Sequence, residues 1–258
     1  MLSAQKISEF KESGGYIIQE RWFPRVTKIV EIKAKPALYK FYGELKSFAE
    51  GEKIKELSAS EGTLIHETVE ALLIGKTPVI PPSIAPAINA FLQFSQQHTI
   101  HADPELVELR ISHHGERYAG TTDALATING QFGVLDIKTS QSVYRDYNLQ
   151  TAAYMAALID DFPTLRTRWI LRIDQQRACL RCGATMRSKG GRDKIRLPWQ
   201  YGLKEIAQHC PHEWSELQGE VELKEFPLWK PDYAAFLGAK KLWEWEYEDT
   251  LKQIGYLV

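Results

Sequence analysis

Asp123, Asp136 and Lys138 are the residues of this chain whose types and spacing could do chemistry together. Asp123 closes the run Gly120-Thr121-Thr122-Asp123, while Asp136 and Lys138 flank Ile137. Between the two aspartates stands Asn129-Gly130, the strongest short hairpin signal, since both residues of its tight turn take positive φ. With those two as the loop, Ile128 faces Gln131, and counting outward along both strands brings Asp123 opposite Asp136. Cβ atoms so opposed lie about 4.5 to 5.5 Å apart, and like charges there are destabilising unless a cation sits between them. A divalent metal would do this. Strand alternation also points Asp136 and Lys138 to one face and Leu135 and Ile137 to the other. Hard carboxylate oxygens, a divalent cation and a nearby ammonium are suited to neutralising a phosphoryl group and orienting a water.

A second set of candidate ligands lies further on. Cys179 and Cys182 form C-x2-C, and Cys210 precedes His212 by two, which together suit a tetrahedral Cys3His zinc site, with His209 as the alternative fourth ligand. Three cysteines are too few for a four-cysteine iron–sulfur cluster and an odd count for a disulfide framework.

Charge is segregated around those cysteines. The chain has 258 residues and a net charge of −1. Positions 165 to 204 nevertheless carry eleven Lys or Arg against Asp174 and Asp193. Arg181, Arg187, Lys189, Arg192, Lys194 and Arg196 cluster about Gly190-Gly191, an arrangement expected to grip phosphates without reading bases. Trp199 and Tyr201 beside them are candidates to stack on unpaired bases.

The elements that must position these residues read as follows. A helix is expected over 35 to 51, and a second, carrying His66 and Glu70 on one side, is expected to start at Ser58, three residues before Glu61 in a capping-box pattern. The Pro-rich run 78 to 86 reads as an ordered loop. Strands are expected over 106 to 112, 118 to 128 and 131 to 138. A small-residue helix over 148 to 159 follows, with Gln150 and Tyr154 on one face. Further strands near 169 to 173 and 220 to 226 lead to a last helix from Asp232 to about Gln253, capped by Asp232. That order is α/β or α+β, a central mixed sheet flanked by helices. One domain over 1 to 258 accommodates it, with a basic zinc-binding insertion at 174 to 219.

Gly62-x3-His66, Asp123, Asp136-Ile137-Lys138 and Gln150-x3-Tyr154, in that order, resemble the PD-(D/E)xK nuclease superfamily, specifically its RecB-type branch. The motifs cover residues 58 to 160, and the flanking segments look like phage and mitochondrial exonucleases of that branch. The resemblance implies a restriction-endonuclease-like core that binds Mg2+ or Mn2+ through Asp123, Asp136, the Ile137 carbonyl and His66. It implies that Lys138 orients the attacking water or stabilises developing charge, and that Gln150 and Tyr154 position DNA. Glu108, on a neighbouring strand, is a further candidate carboxylate. The expected activity is hydrolysis of DNA as an exonuclease on ends or single strands, in replication or recombination. The rivals are a structure-selective or restriction-type endonuclease and an inactive zinc-stabilised nucleic-acid-binding protein. The N-terminus lacks the order of a secretory signal and no run of about 18 apolar residues occurs, so a cytosolic, prokaryotic or phage-encoded setting is expected.

Overall fold

A computed structural model describes residues 3–200 and 202–258, so Tyr201 lies outside the described residues. The chain opens with α1 (Ala4–Gly14), the short hairpin β1 (Gly15–Ile18) and β2 (Arg21–Pro24), then α2 (Val26–Val30), α3 (Pro36–Gly43), α4 (Phe48–Leu73) and α5 (Ala85–Gln97). Three strands follow, β3 (Ile100–His113), β4 (Tyr118–Ile128) and β5 (Gln131–Lys138), then α6 (Asp146–Leu158) and β6 (Thr167–Ala178). The remainder is β7 (Thr185–Lys189), β8 (Arg192–Arg196), α7 (Leu203–Gln208), β9 (Gln218–Glu225), α8 (Lys230–Glu246) and α9 (Glu248–Gln253).

The sheet is mixed, as expected. β3, β4 and β5 are antiparallel neighbours, β5 pairs with β6 in parallel, and β9 pairs with β6 antiparallel. The hairpin register follows the Asn-Gly turn: Ile128 pairs with Gln131 and Ala124 with Leu135. Asn129 and Gly130 take φ of 50° and 85°, as this tight turn requires. One apolar layer packs Ile65, Val69, Ile88 and Phe91 of α4 and α5 onto Leu135, Ile137 and Leu171. The opposite layer packs α2, α6 and α8 onto Tyr118, Leu125 and Val134. The sheet is therefore covered on both faces, and its central strands are buried along most of their length.

Several expected boundaries move. The helices expected over 35 to 51 and from Ser58 are instead α3 and one long α4, because Ser47 caps α4 by accepting from Glu50 N at 3.2 Å. No proline separates 48 from 58, and Gly51 is accommodated in the first turn, so the Ser58–Glu61 pattern falls inside the helix. Asp232 does not cap the last helix. It sits in the first turn of α8, where its carboxylate pairs with the fully buried Arg168, and the expected helix is divided at Tyr247 into α8 and α9. Residues 174 to 178 and 218 to 219 belong to β6 and β9, so the insertion between them is shorter than 174 to 219, and its β7–β8 hairpin extends the sheet by pairing β7 with the end of β6. Among the described residues, no helix is long and apolar enough to cross a membrane.

Candidate functional site

The site forms where β4 and β5 part. Their ladder ends at Ala124 and Leu135, and in the next position Asp123 turns its carboxylate across the fork, where Oδ2 accepts from Ile137 N at 2.6 Å. Asp136 is fully buried, and Lys138 Nζ lies 2.6 Å from its Oδ2, on the shared face that strand alternation dictates. From the other side α4 delivers His66, whose Nε2 lies 2.6 Å from Ile137 O and 3.8 Å from Asp123 Oδ2. This approach depends on Gly62, one turn before His66, since a Cβ there would lie 2.8 Å from Thr139 Oγ1.

Glu70 joins the cluster, with Oε1 3.3 Å from His66 Nδ1. The His66, Glu70 and Asp123 ligand atoms all lie within 4.8 Å of one another. Glu108 reaches the same neighbourhood from β3, where it takes a φ of 52° at the edge of an irregularity in the pairing with β4. Positive φ is costly for a side chain of this kind and recurs where a site demands a particular direction.

The electrostatics follow from crowding. Burial, then the Asp136 charge, raises the Asp123 carboxyl to about 6. Burial, then Glu70 and Asp123, raises Glu108 to about 7. For His66, burial works against the charged ring, but Glu70, Asp123 and the Ile137 carbonyl outweigh it and lift the imidazole to about 8. Burial likewise opposes the charge on Lys138, yet Asp136 and Asp123 hold the ammonium protonated above its ordinary range. Four carboxyl groups thus converge on one lysine and one histidine. Oxygen-rich donors with a single imidazole and an excess of negative charge fit a hard divalent cation.

Gln150 and Tyr154 do share a face of α6, but that face points inward. Gln150 Nε2 donates to Asp136 Oδ1 at 3.2 Å and lies 2.9 Å from the Tyr154 hydroxyl, and Tyr154 is 2% exposed. Gln150 therefore holds Asp136 in place, Tyr154 braces Gln150, and Tyr154 has almost no surface open to solvent.

The cysteine cluster assembles as its spacing predicts. Cys179 Sγ lies 3.9 Å from Cys210 Sγ, Cys182 Sγ lies 3.4 Å from His212 Nδ1, and all four ligand atoms are within 4.8 Å of one another. The set could bind a metal. His209 is excluded from it, being exposed with its Nδ1 directed at Glu205 O in its own helix. Burial pushes the Cys179 thiol up, but backbone N–H groups of Arg181 and Cys182 and the His212 ring hold it down at about 5, favouring the ligating thiolate.

The basic segment differs most from expectation. Arg187 donates to Asp174 at 2.6 Å and to Thr139 O at 2.7 Å, and Lys189 donates to Thr139 O at 2.7 Å and Thr139 Oγ1 at 3.0 Å. Arg181 pairs with Glu213 and Arg192 with Glu44. The Gly190 turn is packed against α4, where a Cβ would lie 2.3 Å from Ile54 O, so it is no free loop. Of the six expected phosphate contacts, Lys194 and Arg196 alone are exposed and without a carboxylate or buried partner among the described residues. Trp199 is 90% exposed.

Sequence reasoning missed Glu70 as a candidate ligand, although its place four residues after His66 was the available signal. It also missed the clamp that Arg187 and Lys189 place on Thr139, for which no local signal exists. No protein-family model matches the sequence, and no curated protein aligns with it significantly.

Proposed function

We propose that this protein is a metal-dependent deoxyribonuclease of PD-(D/E)xK type, acting as an exonuclease on DNA ends or single strands. The observation that carries the proposal is the convergence of Asp123, Asp136, Lys138, His66 and the Ile137 carbonyl at the fork between β4 and β5. Asp123, Asp136, His66 and the Ile137 carbonyl would hold Mg2+ or Mn2+, with Glu70 and Glu108 as adjoining carboxylates. The bound ion would supply Lewis-acid stabilisation of the phosphoryl oxygens and of an attacking water. Lys138, held protonated by Asp136, is fitted to orient that water and to stabilise negative charge as it develops, rather than to remove a proton. Gln150 keeps Asp136 aligned. The Cys3His set is assigned to structural Zn2+, because ligands about 2.3 Å from a tetrahedral ion stand about 3.8 Å apart, close to the observed 3.9 Å between sulfurs.

The test is a time course on end-labelled single- and double-stranded DNA with Mg2+, Mn2+, Ca2+ or chelator. Shortening from the ends with Mg2+ or Mn2+ is expected, with little turnover in Ca2+ and none in chelator. Closed circular DNA should resist, and its cleavage would favour an endonuclease. Binding of DNA with no cleavage under any metal would leave the inactive binding protein as the better reading.

Metal affinity should depend on pH in a stated direction. Ligation requires His66 neutral and Asp123 ionised, so protons compete below about 8 for the first and below about 6 for the second. Mn2+ affinity measured by calorimetry should therefore rise from pH 6 to pH 8, with protons released on binding. His66→Ala should weaken Mn2+ binding and flatten the upper part of that rise. An unchanged titration in the variant would return His66 to a purely structural role.

A further inference from the structure

Beyond the carboxylates, the same fork holds a cationic cluster. Past Ala124 and Leu135, β5 leaves β4, and the backbone of Arg25 takes up a bridge to Ala119 of β4. Tyr16 of β1 lies here, with its hydroxyl 3.3 Å from Thr121 Oγ1. Two guanidinium groups pack on its ring, Arg25 at 4.4 Å and Arg110 at 5.1 Å from the ring centroid. Arg110 is exposed and pairs directly with Thr121 across β3 and β4, so both point to one face. Asp123 is two residues beyond Thr121 on the same strand, about 7 Å along it.

The cluster lacks what normally neutralises it. Among the described residues neither Arg25 nor Arg110 forms an ion pair, whereas Arg168, Arg172 and Arg187 do. Arg25 Nε is buried and has no hydrogen-bond partner. Two unpaired guanidiniums held on one aromatic ring repel each other, and a buried N–H without an acceptor is costly. An oxyanion bound by the pair would relieve both, and planar guanidinium forks match phosphate oxygens.

We propose that Arg25, Tyr16 and Arg110 form a phosphate subsite that holds a backbone phosphate of the DNA strand next to the one being cleaved. The inference rests on the nuclease reading, and it assigns the carboxylates to the metal and the two arginines to the strand. Arg25 and Arg110 bind, and Tyr16 is a positioning residue that fixes the separation of the two guanidiniums.

The experiment is fluorescence anisotropy of a labelled single-stranded DNA oligomer in Ca2+, across a salt series. The proteins compared are wild type, Arg110→Gln, Arg25→Gln/Arg110→Gln and, as a surface control, Lys194→Gln/Arg196→Gln. The Arg25/Arg110 double variant should bind about 10-fold or more weakly. Its salt dependence should be shallower by up to about 1.4, two lost contacts at about 0.7 each for single strands. Because Arg110 is exposed, its single variant folds and should show about half that change in slope. Wild-type binding with both Arg110 variants unchanged overturns the subsite and leaves the nuclease reading standing. A wild type that neither binds nor cuts DNA overturns both. Weakening in the Lys194/Arg196 control alone would move the strand to the β7–β8 surface and also overturn the subsite.

Discussion

Replacing Asp136 with Asn should lower metal-dependent cleavage by on the order of 100-fold or more while DNA binding in Ca2+ and the fold survive. The substitution keeps the volume of a fully buried side chain and leaves an oxygen to accept from Gln150, but it removes the charge that would hold the metal and pair with Lys138. Breaking a buried ion pair ordinarily destabilises strongly. Here the same change relieves repulsion on Asp123, whose carboxyl is raised partly by the Asp136 charge. The two effects oppose, so thermal unfolding should stay cooperative with a modest shift in Tm. Cleavage retained above about a tenth of wild type would remove Asp136 from its assigned role. Lys138→Ala should cost a comparable factor, read in the same assay.

Cys182→Ser should produce the second large effect, and at a distance. Purified wild-type protein is expected to carry about one zinc per chain, held in a closed site, and the variant should carry nearly none. The insertion has only a small apolar core of its own, centred on Cys179, Cys182, Ala184 and Ala207, so without its metal the β7–β8 hairpin should lose hydrogen-exchange protection. The two layers that sandwich the main sheet contain none of these residues and should keep theirs. The hairpin delivers Arg187 and Lys189 to the carbonyl of Thr139, the residue after Lys138. Loosening it should therefore slow cleavage by up to about 100-fold, the scale of a small misplacement of a reacting group. Full activity in a zinc-free variant would show that the clamp on Thr139 does not matter to the chemistry.

The link between these two predictions explains what was legible in the sequence. The β4–β5 register follows from one turn dipeptide and the two-residue period of a strand, both local properties, and they bring Asp123 and Asp136 to one fork without further information. The C-x2-C knuckle is similarly local, and thiolate and imidazole have few alternative uses in so small a cluster, but the fold brings Cys210 and His212 to it across 31 and 30 residues.

Other features depended on which distant segments meet. A charge count along the chain made 165 to 204 a cationic field, but Arg168, Arg172, Arg181, Arg187 and Arg192 each meet a carboxylate supplied by another segment or element. Whether a cation is free is a property of its spatial neighbours, which linear charge patterning does not contain. The inward turn of Gln150 and Tyr154 has the same origin: helical spacing places them on one face, and only packing against β4 and β5 determines whether that face meets solvent.

By itself, then, the sequence determined the hairpin register and the shared face of Asp136 and Lys138, since each rests on the geometry of a single element or a short turn, and it named three cysteines with a choice of two histidines. The structure decided that His212 rather than His209 completes that cluster. Only the tertiary structure decided that α4 brings His66 and Glu70 to the Ile137 carbonyl, that the β7–β8 hairpin closes on Thr139, and that Arg25 and Arg110 meet over Tyr16. These juxtapositions join residues far apart in the chain, and their geometry is set by how two helical layers and a mixed sheet pack together, not by any local preference.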